Sequence, residues 1–233
     1  MVNSQSEVSF RIMYRDLGLA LAALAFSTAA FAQSLTNSLT PPSDFFQISY
    51  AANLNVGDSV LNITNSGATT TPVAIGGQTN GPTDPGTSQN LCANLYTFDP
   101  QEELISCCSC SVTPGGLQAV SVVNGLISNP LTPAIPTAVV IEMVSTLQTG
   151  TCDAGTPGTP AHGLIAWGTS LHQNNSTAAV TYAPTGSPYS QAALSAAEYT
   201  QIVSYCGFLQ ADGTGFGLCK GCFAGGLGAT SVQ

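Results

Sequence analysis

Charge is what this chain has least of. Asp, Glu, Lys and Arg make up 6% of its 233 residues, against about 25% in ordinary soluble proteins. Bases are scarcest: Arg11, Arg15 and Lys220 stand against 12 acids, and the net charge is −9. With so few cations nothing neutralises a phosphate backbone, which excludes a nucleic-acid partner. An anionic membrane surface is excluded for the same reason. Histidine is almost as rare. His162 ("PAHG") and His172 ("SLHQNN") are the only two, and neither sits in a zincin pattern. No G-x-S-x-G elbow provides a nucleophile for a Ser-His-Asp triad. Poverty of charge does not mean disorder, because 44% hydrophobic residues suffice for a core.

The first 32 residues read as a secretory signal peptide. Arg11 and Arg15 form a basic start, "LGLALAALAFSTAA" an apolar middle, and Ala30-Phe31-Ala32 a cleavage site. The apolar run falls short of the roughly 20 residues a spanning helix needs. The expectation is therefore a protein secreted to the extracellular space, the cell surface or the periplasm, with no membrane contact after cleavage. Cleavage would remove Glu7, Asp16, Arg11 and Arg15, leaving ten acids and Lys220, with the net charge still −9. Residues 33–42 read as a flexible arm, and 43–233 as one disulfide-stabilised domain.

Against this background sulfur is abundant. Cys92, Cys107, Cys108, Cys110, Cys152, Cys206, Cys219 and Cys222 all follow the expected cleavage site. An even count in an exported chain points to structural disulfides. Cys219-x-x-Cys222 is half of a zinc pattern, but "CCSC" at 107–110 is not the usual other half. Phe223 stands where a c-type haem site needs histidine, and no βαβ setting supports a thioredoxin-like site. No cofactor or metal is expected. "YTFDPQEEL" reads as a hairpin connection with a turn starting at Asp99-Pro100. A centre at Pro100-Gln101 would set Cys92 opposite the Cys108–Cys110 region, where a cross-strand bridge is natural. Cys107 then points to the other face of the strand, so that the cluster staples two faces. The expected remote partners are Cys152, Cys206, Cys219 and Cys222, with the connectivity left open.

Eight short runs, rich in β-branched and aromatic residues and bounded by turn residues, predict strands at 45–52, 59–65, 91–98, 103–112, 117–123, 137–147, 163–171 and 176–183. The implied fold is mainly β, a single sandwich-like domain. One helix is expected: Ser195 and Glu198 form a capping box. Tyr199, Ile202, Val203 and Cys206 share a face, and Gly207 is a plausible stop. A disulfide-linked, Gly-rich tail follows, with "DGTGFG" at 212–217 as a connector. Residues 67–90 and 149–162 read as long surface loops, the second pinned by Cys152.

Individual acids and histidines form no motif. Asp99, Glu102 and Glu103 make a solvated turn rather than a calcium loop. Asp99, Glu142 and Glu198 could be named as a carboxylate set for glycoside hydrolysis but carry no local signature. His162 and His172 with Asp153 could be named as metal ligands on equally slender grounds. Asn62-Ile63-Thr64 is a formal glycosylation acceptor. "LCANLYTFDPQEELISCCSC" and "CGFLQADGTGFGLCKGC" resemble paired signatures of a group of uncharacterised secreted, cysteine-rich proteins of environmental bacteria. That group has no assigned activity, so the resemblance implies export and disulfides only. The leading expectation is a non-catalytic secreted or cell-surface structural or adhesive protein, with self-association or an extracellular-matrix partner. The alternatives are a secreted hydrolase using a loop histidine and a carboxylate, or a glycan or small-molecule binding module using Trp167 and the tyrosines.

Overall fold

The computed structural model describes residues 43–67, 89–174 and 181–224. The expected signal peptide, the arm and most of the 67–90 loop lie outside them. Alternating apolar and polar residues build ten strands: β1 (Ser43–Ala52), β2 (Val60–Asn65), β3 (Leu91–Phe98), β4 (Leu104–Val112), β5 (Leu117–Ser121), β6 (Ala138–Leu147), β7 (Leu164–Asn174), β8 (Thr181–Pro188), β9 (Ser190–Ala192) and β10 (Phe223–Ala224). One α-helix, α1, spans Ala196–Asp212, and a single π-helical turn, Val122–Leu126, follows β5. The strands form two antiparallel five-stranded sheets, ordered β4-β3-β6-β1-β9 and β10-β5-β2-β7-β8. The fold is thus mainly β and sandwich-like, as expected.

Between the sheets lies a core that includes Leu61, Ile63, Leu91, Leu95, Ile105, Ile141, Met143 and Leu164, all at most 1% exposed. Gln47 joins β1 to β7 across it. Its side-chain amide donates to Leu164 O at 2.8 Å and accepts from Ala166 N at 3.2 Å, replacing a backbone ladder where the two sheets meet. The other face of the first sheet carries a second core. There Phe46, Tyr96, Val144 and Cys107 pack against Ile202, Cys206 and Leu209 of α1. A sandwich with a helix on one outer face is the result, and the helix is what creates the site.

α1 starts as its sequence requires: the Ser195 hydroxyl accepts from Glu198 N at 3.1 Å. It does not stop at Gly207. It runs to Asp212 and ends on Gly213, which is left-handed at φ 67°. Gly207 serves close approach instead. A Cβ on the facing Gly155 would meet Gly207 Cα at 2.8 Å, so the 149–162 loop lies directly on the helix. That loop is anchored further by Tyr96, whose hydroxyl donates to Ala154 O at 2.8 Å.

All eight cysteines are paired: Cys92–Cys152, Cys107–Cys206, Cys108–Cys219 and Cys110–Cys222, with Cα separations of 5.5–5.9 Å. The expected bridge from Cys92 to the Cys108–Cys110 region does not form. The hairpin centre lies further along the chain, so Cys92 is opposite Ser111, while Cys108 and Cys110 face Leu95 and Ala93. Directly paired residues share a face, so Cys92, like Ser111 opposite it, lies on the helix side with Cys107, and Cys108 and Cys110 point to the other face. The two-face staple does form. Cys107 ties the helix to the sheet, and Cys108 and Cys110 tie down the tail. The "DGTGFG" connector docks on the edge of β4, where Cys107 N donates to Gly217 O at 2.9 Å and Gly217 N to Asn129 O at 2.8 Å. Among the described residues no helix is long and apolar enough to cross a membrane. Four disulfides are compatible with an oxidising compartment.

Candidate functional site

A cleft of about 650 Å³ opens between the outer face of the first sheet and α1. Its floor comes from alternate positions on the strands: Phe98 of β3, and Val140 and Glu142 of β6. Neighbouring Val139, Ile141 and Met143 point the other way, into the inter-sheet core. Its wall is a stripe of α1: Glu198, Gln201 with Ile202, Tyr205, then Phe208 with Leu209. These recur at three- and four-residue intervals and so share a helix face. The β3–β4 turn and Leu131 form the rim. Phe208 is 71% exposed, Leu131 54% and Tyr205 51%, so the cleft is walled by large apolar side chains that no other described residue covers.

Glu142 is the chemical oddity of the cleft. It stands at the middle strand of the sheet, flanked in register by Tyr96 on β3 and Ile48 on β1. It is half-buried, and its Oε2 is sealed from solvent without a hydrogen-bond partner among the described residues. Burial first, and the neighbouring Glu198 carboxylate second, push Glu142 up to about 7 from an ordinary 4.5. Burial also raises Tyr96 beyond the usual phenol range, with Tyr199, Asp153 and Glu142 adding to it, and pushes Tyr199 up to about 12.

Asp99, Glu142 and Glu198, named in the sequence without a motif, all line this one cleft. Their roles differ. Asp99 is spent on the turn: Oδ1 accepts from Gln101 N at 2.9 Å and Glu103 N at 3.0 Å, and Glu102 closes the turn at φ 65°. Glu142 and Glu198 remain for chemistry.

The other named residues are scattered. His162 pairs through Nδ1 with Asp44. His172 lies edge-on to Tyr50, ring centres 6.4 Å apart. Asp153 is held by Gln210 Nε2 at 2.6 Å, Gly155 N at 2.8 Å and Thr156 Oγ1 at 2.9 Å. Burial acts to raise the Asp153 carboxyl, but these bonds outweigh it and hold it below the ordinary value. The two histidines and Asp153 therefore do not converge, and no histidine lines the cleft. Trp167 is on β7 of the second sheet, opposite Asn62 and Pro188, remote in register from the first-sheet strands that floor the cleft. Among the described tyrosines only Tyr205 lines it. The sequence points to Tyr199, Ile202, Val203 and Cys206 as the core-packing face of α1, which they are, but the adjacent Glu198–Tyr205–Phe208 stripe went unread. Two signals were present: Tyr205 and Phe208, one turn apart, are too apolar for a solvated face, and Glu142 interrupts a β-branched strand. Compared with protein-family models, curated proteins and solved structures, the chain matches none of them.

Proposed function

We propose that this is an exported, non-catalytic binding module that takes a small organic ligand in the cleft between the first sheet and α1. The observation that carries the reading is the cleft itself. Its volume of about 650 Å³ falls in the range of small-molecule sites, roughly 300–1,000 Å³. Its apolar walls carry a small number of polar groups, with Glu142 the one set into the floor, which matches the usual composition of such sites. Four disulfides brace the frame, and Cys107–Cys206 clamps the helical wall to the sheet that forms the floor, a preorganised arrangement that lowers the cost of binding. The expected signal peptide and the resemblance to secreted cysteine-rich bacterial proteins support export.

An open, apolar sheet edge would favour the structural or adhesive reading. The long edge strand β8 carries Pro184 and Pro188, each without an N–H, which is how edges are blunted against pairing. The β4 edge is partly covered by the 217–219 segment. A raised Glu142 beside Glu198 also resembles an acid–base pair, but Phe98, Val140, Ile202, Phe208 and Leu209 make the walls mainly apolar, which suits an apolar ligand better than a sugar. The neutral dye Nile red tests the binding reading. We expect one dye per chain, and loss of binding in the Tyr205→Ser/Phe208→Ser double variant with an unchanged circular dichroism spectrum. Absence of stoichiometric binding, or binding indifferent to both substitutions, refutes it.

A further inference from the structure

Building on the binding-module reading, we propose that the ligand is a hydrophobic organic cation, an aliphatic or aryl-substituted ammonium, with its charge against Glu142 and Glu198 and its apolar part against Phe98, Tyr205 and Phe208.

Three independent features select this chemistry. The first is charge. Five carboxyl side chains line the cleft and no lysine or arginine does; the one base of the described chain, Lys220, has its backbone N–H bonded to Gly125 O, away from the lining. An anionic ligand would meet repulsion without a counter-charge. The second is Oε2 of Glu142, which has no hydrogen-bond partner among the described residues. A buried carboxylate oxygen left without a donor is costly, and an ammonium supplies either an N–H or a compensating charge. The third is the lining. A hydrated inorganic cation wants six or more oxygens, and among the described residues no three His, Cys, Asp or Glu side chains are arranged to hold a metal. Aromatic faces and aliphatic walls suit a weakly hydrated organic cation, and aromatic rings attract it further.

The same arrangement makes binding pH-dependent. Glu142 faces Glu198 from α1, Tyr96 from β3, and Asp99, Glu102 and Glu103 across the rim, all acidic groups. Burial and Glu198 raise it to about 7, so near neutrality it is partly protonated. A cation prefers the ionised form and expels the proton, so affinity rises as pH goes from 6 to 8, by up to about tenfold.

Titration calorimetry with three matched probes decides the matter: 4-phenylbutyl-trimethylammonium, 4-phenylbutanol and 4-phenylbutanoate. The expected order is cation over alcohol by about tenfold or more, with no measurable binding of the carboxylate. Glu142→Gln and Glu198→Gln should each reduce the preference of cation over alcohol while leaving alcohol binding in place, which also shows the variants are folded. Nile red binding with the alcohol as tight as the cation overturns the cation inference and leaves the binding reading standing. So does dye binding with neither phenylbutyl probe bound, or a cation preference unchanged in both variants. No binding of the dye or of any probe overturns both.

Discussion

Replacing Glu142 by glutamine should stabilise the protein above neutral pH and confer no such gain in acid. Glu142 is raised from 4.5 to about 7, by burial first and by Glu198 second. The folded state therefore holds a proton that the unfolded chain releases between those pH values, and folding takes a proton up. Stability contributed by this group is fully present below about 4.5 and is lost as pH rises through about 7. Between pH 5.5 and 8.5 the undiscounted loss is about 2 kcal/mol, from 1.4 kcal/mol for each pH step of one up to 7. Solvent at the cleft mouth screens this, and about 1 kcal/mol is the figure to expect. The Glu142→Gln variant has no such slope. Its amide introduces an N–H₂ that also needs a partner, a cost present at every pH, so the difference between pH values carries the test. Urea denaturation of wild type and variant, followed by circular dichroism with disulfides intact, should show the variant gaining about 1 kcal/mol on wild type between pH 5.5 and 8.5. In melting temperature that is a relative gain of about 2–4 °C. A difference that is flat with pH, or that moves against the variant, refutes the account of Glu142 as a carboxyl destabilised by its own charge.

Three further outcomes follow from the packing. Converting Cys107 and Cys206 together to serine should cost about 2–5 kcal/mol in denaturant melts and abolish one-to-one Nile red binding, because that bridge clamps the cleft's wall to its floor. Gly155→Ala should cost about 1–3 kcal/mol in the same assay, since its methyl would press on Gly207 of α1; a neutral result would show that the loop does not lie on the helix. Intact-mass measurement of secreted, non-reduced protein should give a chain starting at Gln33 and lacking eight hydrogens for its four disulfides; a retained Met1 or any free thiol counts against this.

Most of the fold could be read from the chain because strand periodicity is a local property. Seven of the expected runs coincide with strands to within a few residues; of the eighth, placed at 176–183, residues 176–180 lie outside the described residues and 181–183 open β8. β9 and β10, of three and two residues, are too short to show a period and exist through pairing with β1 and β5. Gly207 deceived because a glycine that ends a helix and one that admits a neighbouring backbone look alike in sequence; only Gly155, distant along the chain, distinguishes them. Hairpin register was similarly ambiguous: centring the turn one position later leaves composition untouched yet sets Cys92 against Ser111 rather than Ser109, and only Cys152, distant along the chain, completes its bridge. Of the cleft, the components were visible and the assembly was not. Asp99, Glu142 and Glu198 lie on a turn, a strand and a helix, and their meeting depends on where α1 docks, a long-range event that no local pattern encodes.

Strand β4 also sets a timetable. Its three cysteines pair with residues 99, 111 and 112 positions further along the chain. A ribosome adds about 5–20 residues per second, so the hairpin exists for several seconds or longer with three adjacent thiols whose rightful partners have not been made. Any oxidant acting in that interval can join them only to one another, to Cys92 or Cys152, or to another molecule. Correct maturation therefore depends either on delaying oxidation until Cys222 has emerged or on a thiol–disulfide exchange catalyst that undoes early errors. A chain cut short before Cys206 leaves all three β4 thiols without their partners, so a prematurely ended product carries a chemical mark of its own incompleteness.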